Sequence, residues 1–202
     1  QGSEAVAEDW VSFAAGGNHT CGIRASGRLY CWGQDTYGQI GDGGTNTNRP
    51  GPVEVAGGRT DWASVTAGGN HTCVLTTDGA IGCWGDNAYG QLGIGTTTSS
   101  SVPVEVPTAG TPLQGKAVVQ ITTGFGHTCA LTSESGMACW GLNRHAWPGI
   151  GEGAAGQLGD GSGTNSSVPV AVATTGTLLE GTDIAELSAG LYHTCARTTD
   201  GV

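Results

Sequence analysis

The 202-residue chain carries 38 glycines, only 12% charged residues and a formal net charge of −10. Seven Lys and Arg in all, with Lys116 the single lysine, exclude the basic footprint that nucleic acid or an anionic membrane requires, and no apolar run approaches the roughly 20 residues of a membrane-spanning helix. A hydrophobic content of 37% beside so much glycine points to many short strands joined by tight turns.

The first expected strand is Trp-Val-Ser-Phe-Ala at 10–14, where apolar and small polar residues alternate as on a half-buried strand. It leads into Ala-Gly-Gly-Asn-His-Thr-Cys, ending at Cys21. The turn Ser26-Gly27 follows, then a return strand ending in Cys31-Trp32-Gly33. A Gly-Gln-Ile-Gly turn begins at Gly38, and a last short segment, Pro-Val-Glu-Val, begins at Pro52. Proline there suits a strand start or an edge strand.

The same series recurs, with Trp62 for Trp10, Cys73 for Cys21, Asp78-Gly79 for the turn, Cys83-Trp84-Gly85, Gly90 and Pro103. It recurs again with Cys129, Cys139-Trp140-Gly141, Gly156 and Pro169. A fourth copy opens at Ala189 and stops after Cys195 and Asp200-Gly201. The repeated histidines, His19, His71, His127 and His193, are spaced by 52, 56 and 66 residues, in the range of four-stranded propeller blades and their insertions. The expected organisation is one partial propeller over 1–202, with repeats at 10–61, 62–117, 118–183 and a truncated 184–202.

Seven cysteines fall in this pattern. A hairpin turn centred on Asp78 sets Cys73 and Cys83 opposite one another, and directly opposed residues lie within disulfide reach. Cys21–Cys31 and Cys129–Cys139 have the same ten-residue spacing. Disulfides are expected at all three, and with them an oxidising compartment, secreted or at the cell surface. The rival reading is metal ligation by the recurring His-x-Cys, whose side chains share one face of a strand. The third hairpin has its glycine, Gly136, one position late, so its turn is expected to differ. Cys195 has no partner within the chain. The expected partner position falls beyond Val202, so the polypeptide is expected to continue or a second chain to complete the blade.

Gly-x-x-His-Thr, then Asp-Gly, Trp-Gly and Gly-Gln-Leu-Gly, in that order, resembles the regulator of chromosome condensation repeat. The resemblance covers residues 10–202 and implies an all-β fold, a β-propeller commonly of seven blades. About three and a half repeats of four strands are present, an incomplete propeller. It also implies that sequence repeats need not coincide with blades.

Several residues invite functional readings. The repeated histidines are expected to hydrogen-bond backbone at seams between blades, with catalysis as the weaker alternative. Trp32, Trp84 and Trp140 are expected to fill core between blades, with carbohydrate stacking as their alternative. Asp42 and Asp160 open oxygen-rich loops and are weak calcium candidates, although turn formation accounts for them. The third repeat carries ten extra residues between Gly141 and Gly156. They hold Arg144, His145, Trp147 and Glu152, a composition found at binding hot spots, on the kind of insertion that maps to a binding face or to a tolerated surface loop. Asn18, Asn70 and Asn165 begin N-glycosylation sequons, Asn165 being the better placed. The hydroxyl run at 96–101 suits either O-glycosylation or a solvated loop.

No enzyme motif or cofactor signature is present. The expected function is a secreted or cell-surface interaction or structural module that binds protein or glycan, with self-assembly as one form of it, and without nucleic-acid binding or membrane insertion. Resemblance to the family supplies two alternatives, a guanine-nucleotide exchange factor-like regulator and a secreted enzyme-inhibitor propeller.

Overall fold

A computed structural model describes residues 9–144 and 156–201. The first blade is a meander of β1 (Trp10–Ala15), β2 (His19–Arg24), β3 (Leu29–Gly33) and β4 (Arg49–Glu54), hydrogen-bonded in that order. The second holds β5 (Trp62–Ala67), β6 (His71–Thr76), β7 (Ile81–Gly85) and β8 (Ser100–Glu105). The third holds β9 (Val118–Thr123), β10 (His127–Thr132), β11 (Met137–Gly141) and β12 (Ser166–Ala171). A hairpin of β13 (Ile184–Ala189) and β14 (Thr194–Thr198) begins a fourth. The described residues are therefore all-β and form part of a propeller, with no closed ring.

Pro52, Pro103 and Pro169 lie within β4, β8 and β12, the outermost strand of each blade. An edge strand has an open side, so the missing proline N–H need not break a ladder.

Blades stack through consecutive innermost strands. β5 packs on β1 and β2, β9 on β5 and β6, and β13 on β9 and β10. Each core is a seam rather than the interior of one sheet. The first joins Cys21, Ile23, Leu29, Cys31, Ile40 and Val55 of blade 1 to Trp62, Val65, Val74 and Trp84 of blade 2. The seam between blades 2 and 3 repeats it, with Trp140 in the place of Trp84.

At the inner end of every seam, backbone meets backbone. Gly17 N donates to Gly68 O at 2.9 Å, Gly69 N to Phe125 O at 3.1 Å, and Phe125 N to Leu191 O at 3.0 Å. The repeated Ala-Gly is required by this approach. A Cβ on Gly68 would lie 2.5 Å from Gly124 O and 2.4 Å from the His71 ring.

Two sequence expectations need correction. Trp84 and Trp140 are fully buried, but Trp32 is only half-buried and lies against the rings of Trp10 and Phe13, at 5.8 and 6.5 Å between centroids. The repeat tryptophan faces the preceding blade, and among the described residues none stands on that side of blade 1. The third hairpin also keeps the turn of the other two. Ser135, at φ 61°, takes the left-handed position that Gly27 and Gly79 hold in blades 1 and 2. Its N–H bonds to Thr132 O, as Gly79 N–H does to Thr76 O. A serine is strained there. Its hydroxyl meets blade 4, accepting from Ile184 N at 3.1 Å and donating to Asp183 at 3.3 Å.

Candidate functional site

The repeated residues converge on the seams. Cys21–Cys31, Cys73–Cys83 and Cys129–Cys139 are directly opposed pairs on β2/β3, β6/β7 and β10/β11, each joined by a disulfide, with Cα atoms 4.1, 4.2 and 4.1 Å apart. All six cysteines are buried against the next blade, whereas Cys195 is a free, exposed thiol. In blades 1–3 the His-x-Cys thiols are taken up in disulfides and the imidazoles in seam bonds. Among the described residues no group of three His, Cys, Asp or Glu comes together.

The histidines bond side chain to side chain across the seam. His19 Nε2 lies 2.8 Å from Thr72 Oγ1, His71 Nε2 3.0 Å from Thr128 Oγ1, and His127 Nε2 3.0 Å from Thr194 Oγ1. Each threonine hydroxyl donates in turn to a carbonyl of the blade before it. Thr72 donates to Gln39 O at 2.8 Å, Thr128 to Gln91 O at 2.9 Å and Thr194 to Gln157 O at 2.9 Å. That use of the single hydroxyl proton fixes the tautomer, because Nε2 must carry the hydrogen. Backbone is reached only through the threonine, which corrects the simpler expectation from sequence. Burial drives the pKa of His19, His71 and His127 down to about 4, 3 and 4, and like rings nearby depress His71 further. All three are neutral at pH 7, and the Nδ1 of each is buried with no hydrogen-bond partner.

The same carbonyls hold the tryptophans, with Trp84 Nε1 donating to Gln39 O at 2.9 Å and Trp140 Nε1 to Gln91 O at 3.0 Å. Sequence reading missed these Gln carbonyls, and also Asp35, Asn87 and Asn143. The side-chain oxygens of these three accept from Ile40 N, Leu92 N and Leu158 N at 3.0, 2.9 and 3.0 Å. The signal was available, since each lies three positions after the repeat tryptophan.

The end of the blades that carries the Gly-Gly turns has a shallow mouth of about 400 Å³. Phe125 and Leu191 of blades 3 and 4 line it at the repeat position that Gly17 and Gly69 hold in blades 1 and 2. Phe125 lies 5.6 Å from the Tyr192 ring, and Leu191 is 61% exposed. The insertion leaves the same end, because Leu142 N bonds to Gly126 O beside Phe125. Its neck is closed by the Asn143–Leu158 bond and by Gln157 Nε2 donating to Arg144 O at 3.0 Å. Arg144 is exposed and donates Nε to Gly163 O at 3.1 Å. His145, Trp147 and Glu152 lie outside the described residues.

The remaining candidates have local roles. Asp42 is held by Arg49 Nε at 2.6 Å and Gly44 N at 2.8 Å, and Asp160 by Ser162 N at 2.9 Å and Asn143 Nδ2 at 3.1 Å. Asn165 Oδ1 accepts from Asn143 N at 2.8 Å, the place Asn48 fills for Asp35 N at 3.2 Å. Asn18 is exposed and Asn70 half-buried, but Thr72 of the second sequon is wholly buried in its seam bonds.

Four-stranded meanders stacked seam against seam, with one polar relay repeated at each, define a repeat-built β-propeller. The chain belongs to the regulator of chromosome condensation (RCC1) repeat family, whose repeat matches residues 26–75, 78–131 and 149–197. A second description of that repeat matches 10–39, 62–91 and 118–146. The 26–75 match runs from the β2–β3 turn of blade 1 into β6 of blade 2, so the family repeat straddles a seam.

Among curated relatives, human HERC4, a probable E3 ubiquitin-protein ligase, is 33% identical over 92% of this chain and 16% of its own length. The ultraviolet-B receptor UVR8 of Arabidopsis thaliana is 34% identical over 69% of this chain and 31% of its own. The chain thus spans less than a third of the length of either. Human WBSCR16 shares the fold with a TM-score of 0.77 at 23% identity, covering 96% of this chain and 46% of that one. Saccharomyces cerevisiae Prp20p, characterised with its binding to Gsp1p and histones, has a TM-score of 0.76 at 18% identity over 93% and 43%. The ectodomain of the Physcomitrella patens receptor kinase CR4 has a TM-score of 0.53 at 22% identity over 98% and 41%.

Proposed function

We propose that this chain is a non-catalytic recognition module working outside the reducing cytosol, and that its ligand, protein or glycan, is met at the mouth beside Phe125 and Leu191. The observation that carries the reading is how the repeated chemistry is spent. Imidazoles and thiols are the residues an active site would draw on, and in the seams they are committed to neutral hydrogen bonds and disulfides. The mouth departs from repeat symmetry by presenting Phe125 and Leu191 where blades 1 and 2 have glycine, and the insertion starts at its side. A disulfide in every complete blade supports secretion or cell-surface display. That CR4 carries this fold in a receptor ectodomain supports the same placement.

The test is a ligand screen with secreted protein and glycan libraries against the native chain and two variants. One variant is Leu191→Asp. The other shortens the segment between Arg144 and Gly156 to the length found in blades 1 and 2. Loss of ligand in both variants with unchanged thermal stability supports the reading. Ligand capture indifferent to both, or free thiols at the six paired cysteines of protein isolated from its source, overturns it.

A further inference from the structure

The seams differ at the end of the blades opposite the mouth. The link from β8 to β9 is residues 106–117, and that from β12 to β13 is residues 172–183, while the link from β4 to β5 is only residues 55–61. Both long links fold into the same small unit. Leu113 N bonds Thr111 Oγ1 at 3.2 Å, and Leu179 N bonds Thr177 Oγ1 at 3.1 Å. Gly110 N and Gly176 N each bond the side chain four residues on, Gln114 or Glu180, at 2.7 Å.

The unit delivers a leucine into its seam. Leu113 is 1% exposed and packs with Val118 and Ala138 of blade 3, and Leu179 packs beside Ile184 and Leu187 of blade 4. The short link, Ala-Gly-Gly-Arg-Thr-Asp after Val55, has no such unit.

The first seam has no leucine at the corresponding place, and the Arg59 guanidinium lies 4.9 Å over the buried Trp62 ring there. A groove of about 370 Å³ runs between Ala56, Gly57 and Arg59 of the link and Trp62, Thr76 and Val104 of blade 2, among others. Trp62 and Gly82, which also line it, are the repeat equivalents of Val118 and Ala138, which share a buried cluster with Leu113 one seam further on. The internal repeat therefore shows what this shape accepts, an aliphatic side chain presented from a tight turn. The rim shows what flanks it. Arg59 is paired to Asp61 at 2.6 Å, and the exposed Glu105 lines the groove.

We propose that this groove is a docking site for a partner protein segment in which a leucine on a turn is followed closely by Lys or Arg. The leucine enters beside Trp62, and the cation meets Glu105 on the rim. Burial of one leucine side chain is the affinity-determining contact, and the rim selects for sign. The site lies at the other end of the blades from the mouth, and its test is independent of what the mouth binds.

The probe is a synthetic peptide copying residues 106–117, which carries Leu113 and Lys116, titrated into the intact chain and followed by tryptophan fluorescence and calorimetry. Saturable binding is expected. It should be at least about tenfold weaker for the peptide with Leu113→Asp and about threefold weaker for the peptide with Lys116→Glu. Grafting residues 107–117 in place of 56–61 should fill the groove and abolish binding. Glu105→Lys, at an exposed position that leaves the link intact, should weaken binding about threefold. No saturable binding by the native chain, equal binding of the Leu113→Asp peptide, or unchanged binding by both protein variants would overturn the proposal.

Discussion

His71 Nε2 lies 3.0 Å from Thr128 Oγ1, and that hydroxyl donates at 2.9 Å to Gln91 O, two blades tied by one threonine proton and one imidazole proton. Both His71 and Thr128 are 0% exposed, so neither group has water to turn to if the other is lost. Thr128→Val keeps the shape and removes both bonds. It should cost about 1–3 kcal/mol, read as a lower denaturant midpoint with an unchanged m-value. A loss below half a kcal/mol would contradict the relay.

Acid should loosen the seams. In the unfolded chain these histidines titrate near 6.5, and in the folded chain near 4, 3 and 4 for His19, His71 and His127. A folded pKa below the unfolded one means that between those values the unfolded chain binds more protons. Stability is therefore full above about pH 6.5 and falls as pH drops toward the folded values, each histidine contributing a slope of up to about 1.4 kcal/mol per pH unit. Urea unfolding at pH 7.5, 5.5 and 4.5 measures the slope, and His71→Gln should reduce it by close to one proton.

Gln39 is a repairable fault. Its side chain is 0% exposed and its Nε2 has no partner, whereas Gln91 Nε2 donates to Asp86 at 3.0 Å. Gln34 stands where blade 2 has Asp86. Gln34→Asp supplies the missing acceptor and should raise stability by about 1 kcal/mol. An unchanged melting temperature would count against the equivalence of the two positions.

Removing one staple should weaken the fold without abolishing it. Cys73 and Cys83 close a hairpin in the middle blade, and the double substitution to alanine should cost about 2–4 kcal/mol. Peptide mapping under non-reducing conditions checks the pairing itself, and any bond between blades would contradict it.

Gly68→Ala should be among the most damaging single-methyl changes, because its Cβ would meet Gly124 O at 2.5 Å and the His71 ring at 2.4 Å. Overpacking of this kind costs about 1–3 kcal/mol. Gly57→Ala, with nothing within 4 Å of its Cβ but a φ of 98°, should lose only the left-handed preference, about 1 kcal/mol. A thermal melt that reversed the order of the two variants would contradict the close approach at the inner seam.

The blades and the staples were legible in the sequence because both are local. A strand, its turn and the opposed cysteine lie within about a dozen residues, where alternation and turn chemistry determine register. Cys73 and Cys83 face each other in the structure as hairpin arithmetic places them. The repeat told that the histidines matter to every blade, but not what they touch. Their partners lie 53, 57 and 67 residues away, and only stacking decides that a threonine hydroxyl reaches the ring before any carbonyl does. Stacking likewise decided that Trp84 is enclosed and Trp32 is not, since burial there depends on a neighbouring blade rather than on the residue's own strand. Ser135 shows the limit from the other side. Its turn reads as irregular in sequence, yet its bonds to Asp183 and Ile184 are made by the next blade. The open groove of the first seam is the same lesson in volume. The short link from 55 to 61 is plain in the sequence, but that its seam keeps a groove beside Trp62 where the next seam holds Leu113 follows only once the blades are packed side by side.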